Sequence, residues 1–378
     1  MAIHPARVDF FARLLHNGVF PHRDRSPPKD MPMPNHWGLP DDYRPLLSIH
    51  QIEAAIKDIK DFFERNLAES LNLRRVTAPL FVRSGTGVND DLNGVERPVR
   101  FRVKDDGDCE VEIVQSLAKW KRMALARYGF AVGEGIYTDM NALRPDETLD
   151  AIHSIYVDQW DWEKIIAPEE RNRSTLEATV RSIYDVICRT EFHIASQFSS
   201  IRPILPEKIF FVTTEDLCRM YPKLAPRQRE EQIVAEHGAV FVMGIGGMLS
   251  DGQPHDGRAP DYDDWSTPRS DGGRGLNGDI FLWNPVLKRA FEISSMGIRV
   301  DAAMLVEQLR IRGLQQRAEL PFHRMLLNGE LPQTMGGGIG QSRLAMFLLR
   351  TAHVGEVSVG IWPESMQKAC QAANIPLL

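Results

Sequence analysis

Short apolar runs of strand length, set irregularly among longer amphipathic stretches, constrain this chain most. Residues 209–212, 239–242, 280–283 and 357–361 have the length and the branched or aromatic composition of β-strands. They lack the strand–helix–strand rhythm of about 30 residues that marks a parallel doubly wound sheet. The expectation is an α+β fold in which an antiparallel sheet carries helices. Ser48 and Gln51 form a capping box ahead of an apolar stripe at Ile49, Ile52, Ile56, Ile59, Phe63 and Leu67, which predicts a long helix. Ser116 is expected to cap a second helix that Gly129 stops after Tyr128. Ser174 with Glu177 is expected to cap a third, running through Ile183, Ile187, Ile194 and Phe198. Residues 73–80, ending near Pro79, read as an extended segment at a sheet edge.

Eight of the 24 prolines fall in the first 45 residues, so residues 1–47 read as an irregular arm and 48–378 as one sheet-based catalytic domain. With 45 basic against 51 acidic side chains the formal charge is −6, which disfavours a nucleic-acid-binding coat. No apolar stretch approaches the roughly 20 residues needed to cross a bilayer, and the first 20 residues do not read as a secretory signal. The four cysteines are far apart, with no CxxC pair, and read as reduced thiols of a cytoplasmic protein.

Gly273 to Gly278 match GxGxxG, but they precede a strand instead of following one, which argues against a dinucleotide site. The phosphate-binding GxxxxGK[ST], HExxH and GxSxG are missing from the sequence. A second glycine run, Gly336, Gly337, Gly338 and Gly340, leads into an apolar helix whose first turn carries Arg343. Taken alone such a run is more often a turn. Here it can also let a flat ring approach the backbone while the guanidinium stacks on it or meets phosphate. Asp279 and Glu292 sit on neighbouring predicted strands, where they are either surface charges or a pair able to share a divalent ion with phosphate oxygens. Arg144 is either a surface ion-pair partner or a clamp on an α-phosphate. Residues 116–122 (SLAKWKR) open a helix with two basic residues one turn in, where they oppose its dipole, a misfit that hints at an anion nearby. The acidic loop at 261–265, with Tyr262 and Trp265, is a solvated loop or an amine-recognising pocket. Gln159 and Asp161 share one face of an aromatic strand.

In order along the chain, the strings at Gln115–Arg122 (QSLAKWKR), Gly133–Glu147 (GEGIYTDMNALRPDE), Tyr156–Glu163 (YVDQWDWE), Ala259–Pro268 (APDYDDWSTP), Leu276–Ile280 (LNGDI), Phe291–Asp301 (FEISSMGIRVD) and Gly336–Arg343 (GGGIGQSR) resemble the ammonia-dependent, type A asparagine synthetases, relatives of the class II aminoacyl-tRNA synthetase core. The resemblance spans roughly residues 50 to 378. It implies a six- to eight-stranded antiparallel sheet flanked by helices, a homodimer, and amidation of L-aspartate by ammonia with ATP and Mg²⁺, through β-aspartyl-AMP. By the same resemblance Arg144 meets the α-phosphate, Arg343 stacks on adenine, and Asp279 and Glu292 hold Mg²⁺. Tyr262, Ser294 and Gly338 complete the nucleotide site. Asp90 or Asp263 holds the substrate ammonium. Lys121, Arg299 or Gln159 holds its carboxylates, with Ser116, Asp161 and Ser295 in support. Asp90, then Asp263, is the candidate base toward ammonia. The second class II signature reads Leu143-Arg144-Pro145-Asp146 where the wider family has Phe-Arg-x-Glu. Gln115 stands where the type A string has histidine, which leaves a titrating role there open. The chain begins Met1-Ala2 with no cysteine nucleophile, so free ammonia is the expected donor and direct use of glutamine stays open. Two rival readings are a class II ligase acting on tRNA and a non-catalytic amino-acid-binding paralogue.

Overall fold

The computed structural model describes residues 37–40, 42–90, 92 and 96–378; the proline run at 26–34 lies outside the described residues. Residues 37–40 and 42–47 form neither helix nor strand, yet Leu39, Tyr43 and Leu47 are buried in the main core. Helix α1 (Ile49–Leu71) starts at the expected capping box: Ser48 Oγ accepts from Gln51 N, and Gln51 Oε1 accepts from Ser48 N at 2.9 Å. Asn72 ends it in the left-handed region at φ 57°, a conformation asparagine tolerates. In chain order there follow β1 (Leu73–Arg75), β2 (Phe81–Arg83), β3 (Arg100–Val103), β4 (Cys109–Ile113), α2 (Ala118–Tyr128), β5 (Gly135–Leu143), β6 (Tyr156–Ile165) and α3 (Arg173–Gln197). The second half comprises β7 (Phe210–Thr213), α4 (Thr214–Met220), α5 (Pro226–His237), β8 (Ala239–Met243), β9 (Asn277–Asn284), β10 (Arg289–Ile298), α6 (Ala302–Arg312), α7 (Pro321–Leu327), β11 (Thr334–Gly340), α8 (Gln341–Leu349) and α9 (Glu364–Ala372).

Eight strands form one sheet in the order β1-β5-β6-β11-β10-β9-β8-β7, and β2-β4-β3 form a small second sheet. The six inner strands are antiparallel throughout, as expected. The two end pairs, β1–β5 and β7–β8, are parallel, so the sheet is mixed. One face is covered by helices. Ile59 and Phe63 of α1, Ile183 and Ile187 of α3 and Phe347 of α8 pack in one cluster with Trp160, Trp162, Phe241, Ile280 and Phe291 of the sheet. Each such side chain, fully withdrawn from water, contributes about 1.5–3 kcal/mol.

Three local expectations are corrected. The α2 N-cap is Leu117, which has no side-chain capping bond, while Ser116 Oγ accepts only from Ala118 N. The α3 N-cap is Asn172, whose side chain accepts from Thr175 N at 3.0 Å, and Glu177 instead pairs with Arg173 and Arg181. Residues 357–361 are not a strand: they follow a single 3₁₀ turn, Val354–Glu356, and leave Val359 and Ile361 exposed.

Candidate active site

On the face opposite α1 and α3 the sheet floors a cleft of about 480 Å³. Strand alternation divides β6 between the two faces, with Trp160 and Trp162 in the core and Gln159 and Asp161 on the cleft wall. Simple alternation along β10 would put Glu292 and Ser295 on opposite faces. The register shifts between Glu292 and Ser294, and this irregularity brings Glu292, Ser295 and Arg299 to the cleft together. The glycine run is not a turn but strand β11, paired with β6 on one side and β10 on the other. Its glycines provide space. A Cβ at Gly336 would run into the Glu163 carboxylate and one at Gly338 into the Gln159 amide, while at Gly337 it would stand 2.6 Å from Met296 Cβ.

Two groups of charge line the cleft. In the first, Arg144 follows β5 directly, and its Nε is buried with no hydrogen-bond partner. Arg343, in the first turn of α8, donates from Nη1 to the Glu292 carbonyl at 3.1 Å and lies 3.6 Å from its carboxylate. In the second, Arg299 donates from Nε and Nη2 to Glu163 at 3.0 and 2.8 Å and also pairs with Asp263. Lys121 pairs with Asp161 and lies 3.7 Å from Glu163. Burial opposes charge on Glu163, but Arg299 and Lys121 hold its carboxyl below the usual range. Burial dominates at Asp161 and raises it despite Lys121. Tyr262, its guanidinium neighbour Arg299 5.6 Å from the ring centre, has its phenol raised well above normal by burial and by the charges of Asp90 and Asp263.

Arg258 stands between the two groups, paired with Asp279 and 3.9 Å from Asp263. Burial, reinforced by the charge of Glu292 and opposed by Arg258, pushes the Asp279 carboxyl up to about 8. Two neighbouring carboxylates that repel each other suit a hard divalent cation completed by phosphate oxygens. Among the described residues no cluster of three or more acidic, histidine or cysteine side chains could hold a metal, so these two would depend on such added oxygens.

The structure brings Asp90, Ser116, Arg144, Gln159, Asp161, Tyr262, Asp263, Glu292, Ser294, Ser295, Arg299, Gly338 and Arg343 to this one cleft. Two of the expected residues do not line it. Asp279 lies behind Arg258, and Lys121 is buried beneath the floor, donating also to the carbonyls of Trp162 and Gly337 at 2.8 and 3.3 Å. The basic start of α2 therefore has an internal cause. Lys119 donates to Asp261 at 3.1 Å and Arg122 to the carbonyls of Pro332 and Val300, so the anions that offset the dipole belong to the chain itself. Asp261 also meets His323 at 3.0 Å, and Lys119, His323 and Arg317 outweigh burial to keep it well below the normal range. The loop at 261–265 is accordingly not solvated: Asp261, Asp263 and Asp264 are all buried. Sequence reasoning missed Arg258, Glu163 and Asn89. The available signal was position, since Glu163 ends one of the quoted strings, Arg258 immediately precedes another and Asn89 is next to Asp90.

The family profile described as aspartate-ammonia ligase matches residues 50–374. An aspartate–ammonia ligase of Clostridium perfringens is 57% identical over 340 residues, covering 90% of this chain and 98% of that protein. One of Parabacteroides distasonis is 55% identical over 339 residues, with the same coverage of 90% and 98%. Among solved structures, an Entamoeba histolytica asparaginyl-tRNA synthetase in complex with asparaginyl-adenylate superposes with a TM-score of 0.61 at 13% identity, over 84% of this chain and 68% of that one. The asparaginyl-tRNA synthetase of Pyrococcus horikoshii, complexed with the same adenylate, gives 0.61 at 14% identity over 88% and 76%. At such identities these two comparisons establish the class II synthetase fold.

Proposed function

Because the chain belongs to the aspartate-ammonia ligase family, enzymes that form a C–N bond to make asparagine from aspartate and ammonia, we propose that it does so through β-aspartyl-AMP, releasing AMP and pyrophosphate. A carboxylate resists direct amidation at neutral pH because oxide is a very poor leaving group. The side-chain carboxylate of aspartate must therefore first attack the α-phosphate of ATP. Negative charge then spreads over phosphate oxygens, and preorganised cations lower that barrier. The observation that carries this reading is the convergence on one cleft of Arg144, with its unpartnered buried Nε, Arg343 beside Glu292, and the Arg299–Asp263 group.

Arg144 meets the α-phosphate and Arg343 the adenine, with Tyr262, Ser294 and Gly338 around the nucleotide. Asp279 and Glu292 would hold Mg²⁺, with Arg258, which pairs with Asp279 here, available to the phosphates. When bound, the ion would supply neutralisation of phosphate charge. Arg299 and Gln159 orient the aspartate carboxylates, Asp90 and Asp263 its ammonium, and Ser116, Asp161 and Ser295 support them. Lys121 acts from below the floor, by fixing Asp161. In the second step Asp90 accepts a proton as ammonia attacks the acyl carbon. A cytoplasmic homodimer is the proposed form. It is supported by four free cysteines and by β1, an end strand with no partner on its outer side among the described residues.

Incubation with aspartate, ATP, Mg²⁺ and ammonium, without tRNA, should yield asparagine, AMP and pyrophosphate in equal amounts. ADP as product would overturn the adenylate route, and a requirement for tRNA would favour a tRNA ligase.

A further inference from the structure

Gln115 is 1% exposed, lines the cleft, and has neither its amide oxygen nor its amide nitrogen hydrogen-bonded within the protein. Leaving a buried primary amide unpaired is unfavourable, because it loses its hydrogen bonds to water and gains none in return, so its position calls for a ligand. The backbone holds it firmly there. Asn89 Oδ1 accepts from both Gln115 N and Asp90 N, each at 2.9 Å, and Asn89 Nδ2 donates to Glu112 Oε2 at 2.9 Å and to the Ile113 carbonyl at 3.2 Å. One asparagine thus clips Gln115 and Asp90 side by side onto the end of β4, and both side chains are buried in the same wall.

We propose that Gln115 is a positioning residue for the attacking ammonia, a role that rests on the adenylate reading above. Neutral ammonia offers three N–H donors and must keep its single lone pair free for the acyl carbon. The Gln115 amide oxygen and the Asp90 carboxylate accept two of those donors and thereby aim the lone pair, while Gln115 Nε2 donates to an acyl-group oxygen. The nitrogen lone pair forms the new C–N bond. The carbon–oxygen bond to phosphate breaks with its electron pair leaving on AMP, and the proton lost from nitrogen passes to Asp90. The amide contributes no proton of its own, so a neutral side chain serves where a histidine would add an ionisation.

The test uses the full-length protein, its Gln115→Leu and Gln115→His variants, and two readouts: KM for ammonium in asparagine formation, and KM for aspartate in ammonia-free pyrophosphate exchange. Gln115→Leu should raise the ammonium KM about tenfold or more and shift the aspartate KM by less than about twofold. Gln115→His should recover part of the loss above pH 7 and introduce an inflection near about 6.5 in the ammonium-dependent step alone. A raised aspartate KM with an unaltered ammonium KM would overturn the proposal by placing the amide on the amino acid. Equal damage to both half-reactions in both variants would overturn it by making the role structural. Failure of the unsubstituted protein to exchange pyrophosphate would instead remove the adenylate reading itself.

Discussion

An arginine whose Nε is buried and unpartnered has a desolvation cost that the free protein does not recover, and Arg144 is in that position. Arg144→Ala should therefore lower aspartate-dependent pyrophosphate exchange by about 10²-fold or more, with the melting temperature unchanged or slightly raised. Unimpaired exchange would take Arg144 off the phosphate. Arg258 has a different signature. It is the cation that pulls down the Asp279 carboxyl, which burial and Glu292 together push up to about 8. Without it Asp279 must bind its proton still more tightly. Arg258→Leu should therefore move the acid limb of the exchange–pH profile to higher pH, and an unmoved limb would separate Asp279 from the metal. At this scale the sequence was informative for Arg144, Glu292 and Arg343, because each lies in a distinctive local string, whereas Asp90 lies outside all of those strings and was reached through the resemblance alone. It was silent on pairs made only by folding: Arg299 meets Glu163 across 136 positions, and neither residue's neighbours in sequence mark the other. Lys121 shows the opposite error. Its charge was legible and its burial was not, since the carboxylates it pairs with lie on β6, some 40 residues away.

The β11 ribbon makes the case for reading glycines by what crosses them. None of Gly336, Gly337, Gly338 and Gly340 has a positive φ, so conformational freedom does not explain them. Proximity does. Gly336→Ala would push its methyl into a fully buried ion pair between Glu163 and Arg299, and should destabilise the protein by about 3–5 kcal/mol, the cost of breaking such a pair. Gly338→Ala displaces only the end of the Gln159 side chain, so thermal melts should change little while KM for aspartate rises several-fold. If both variants melted alike, the steric account of the run would be wrong. The start of helix α1 was legible to the residue because its cap is local, and its stripe holds at Ile52, Ile59, Phe63 and Leu67, while Ile49 is exposed and Ile56 only partly buried. The β10 irregularity was not, because a shift of register between Glu292 and Ser294 depends on which residues β9 presents opposite. The segment 357–361 shows the same limit in reverse: it has strand composition but pairs with no strand among the described residues.

Across the whole molecule, the segment before α1 and the end of the chain meet at one acidic group. Tyr43 donates its hydroxyl to Glu356 Oε2 at 2.8 Å, Ala352 and His353 donate their backbone N–H groups to Oε1, and Leu378 N donates to the Gly355 carbonyl at 2.8 Å. Burial pushes Glu356 up to about 7 and pushes neighbouring His353 down to about 4. The two act in opposite directions. Glu356, raised in the folded state, contributes stability that is present below about 4.5 and lost as pH rises through about 7. His353, depressed, contributes stability that is present above about 6.5 and lost as pH falls through about 4. Glu356→Gln can keep the two backbone hydrogen bonds at its amide oxygen and reverse the third, its amide nitrogen donating to the Tyr43 hydroxyl, so it should flatten the loss of melting temperature between pH 5 and 8 and leave the acid side as it was. An unaltered slope would remove Glu356 as its cause. The strand order has a consequence of its own. Among the described residues β11 is the only bridge between the β1-β5-β6 group and the β10-β9-β8-β7 group, and it comes after both in the chain. A nascent polypeptide therefore carries two unjoined half-sheets until residues 334–340 emerge from the ribosome. Gln159 and Asp161 on one half cannot face Glu292 and Arg299 on the other before then, so translation itself delays the first turnover until the central ribbon closes.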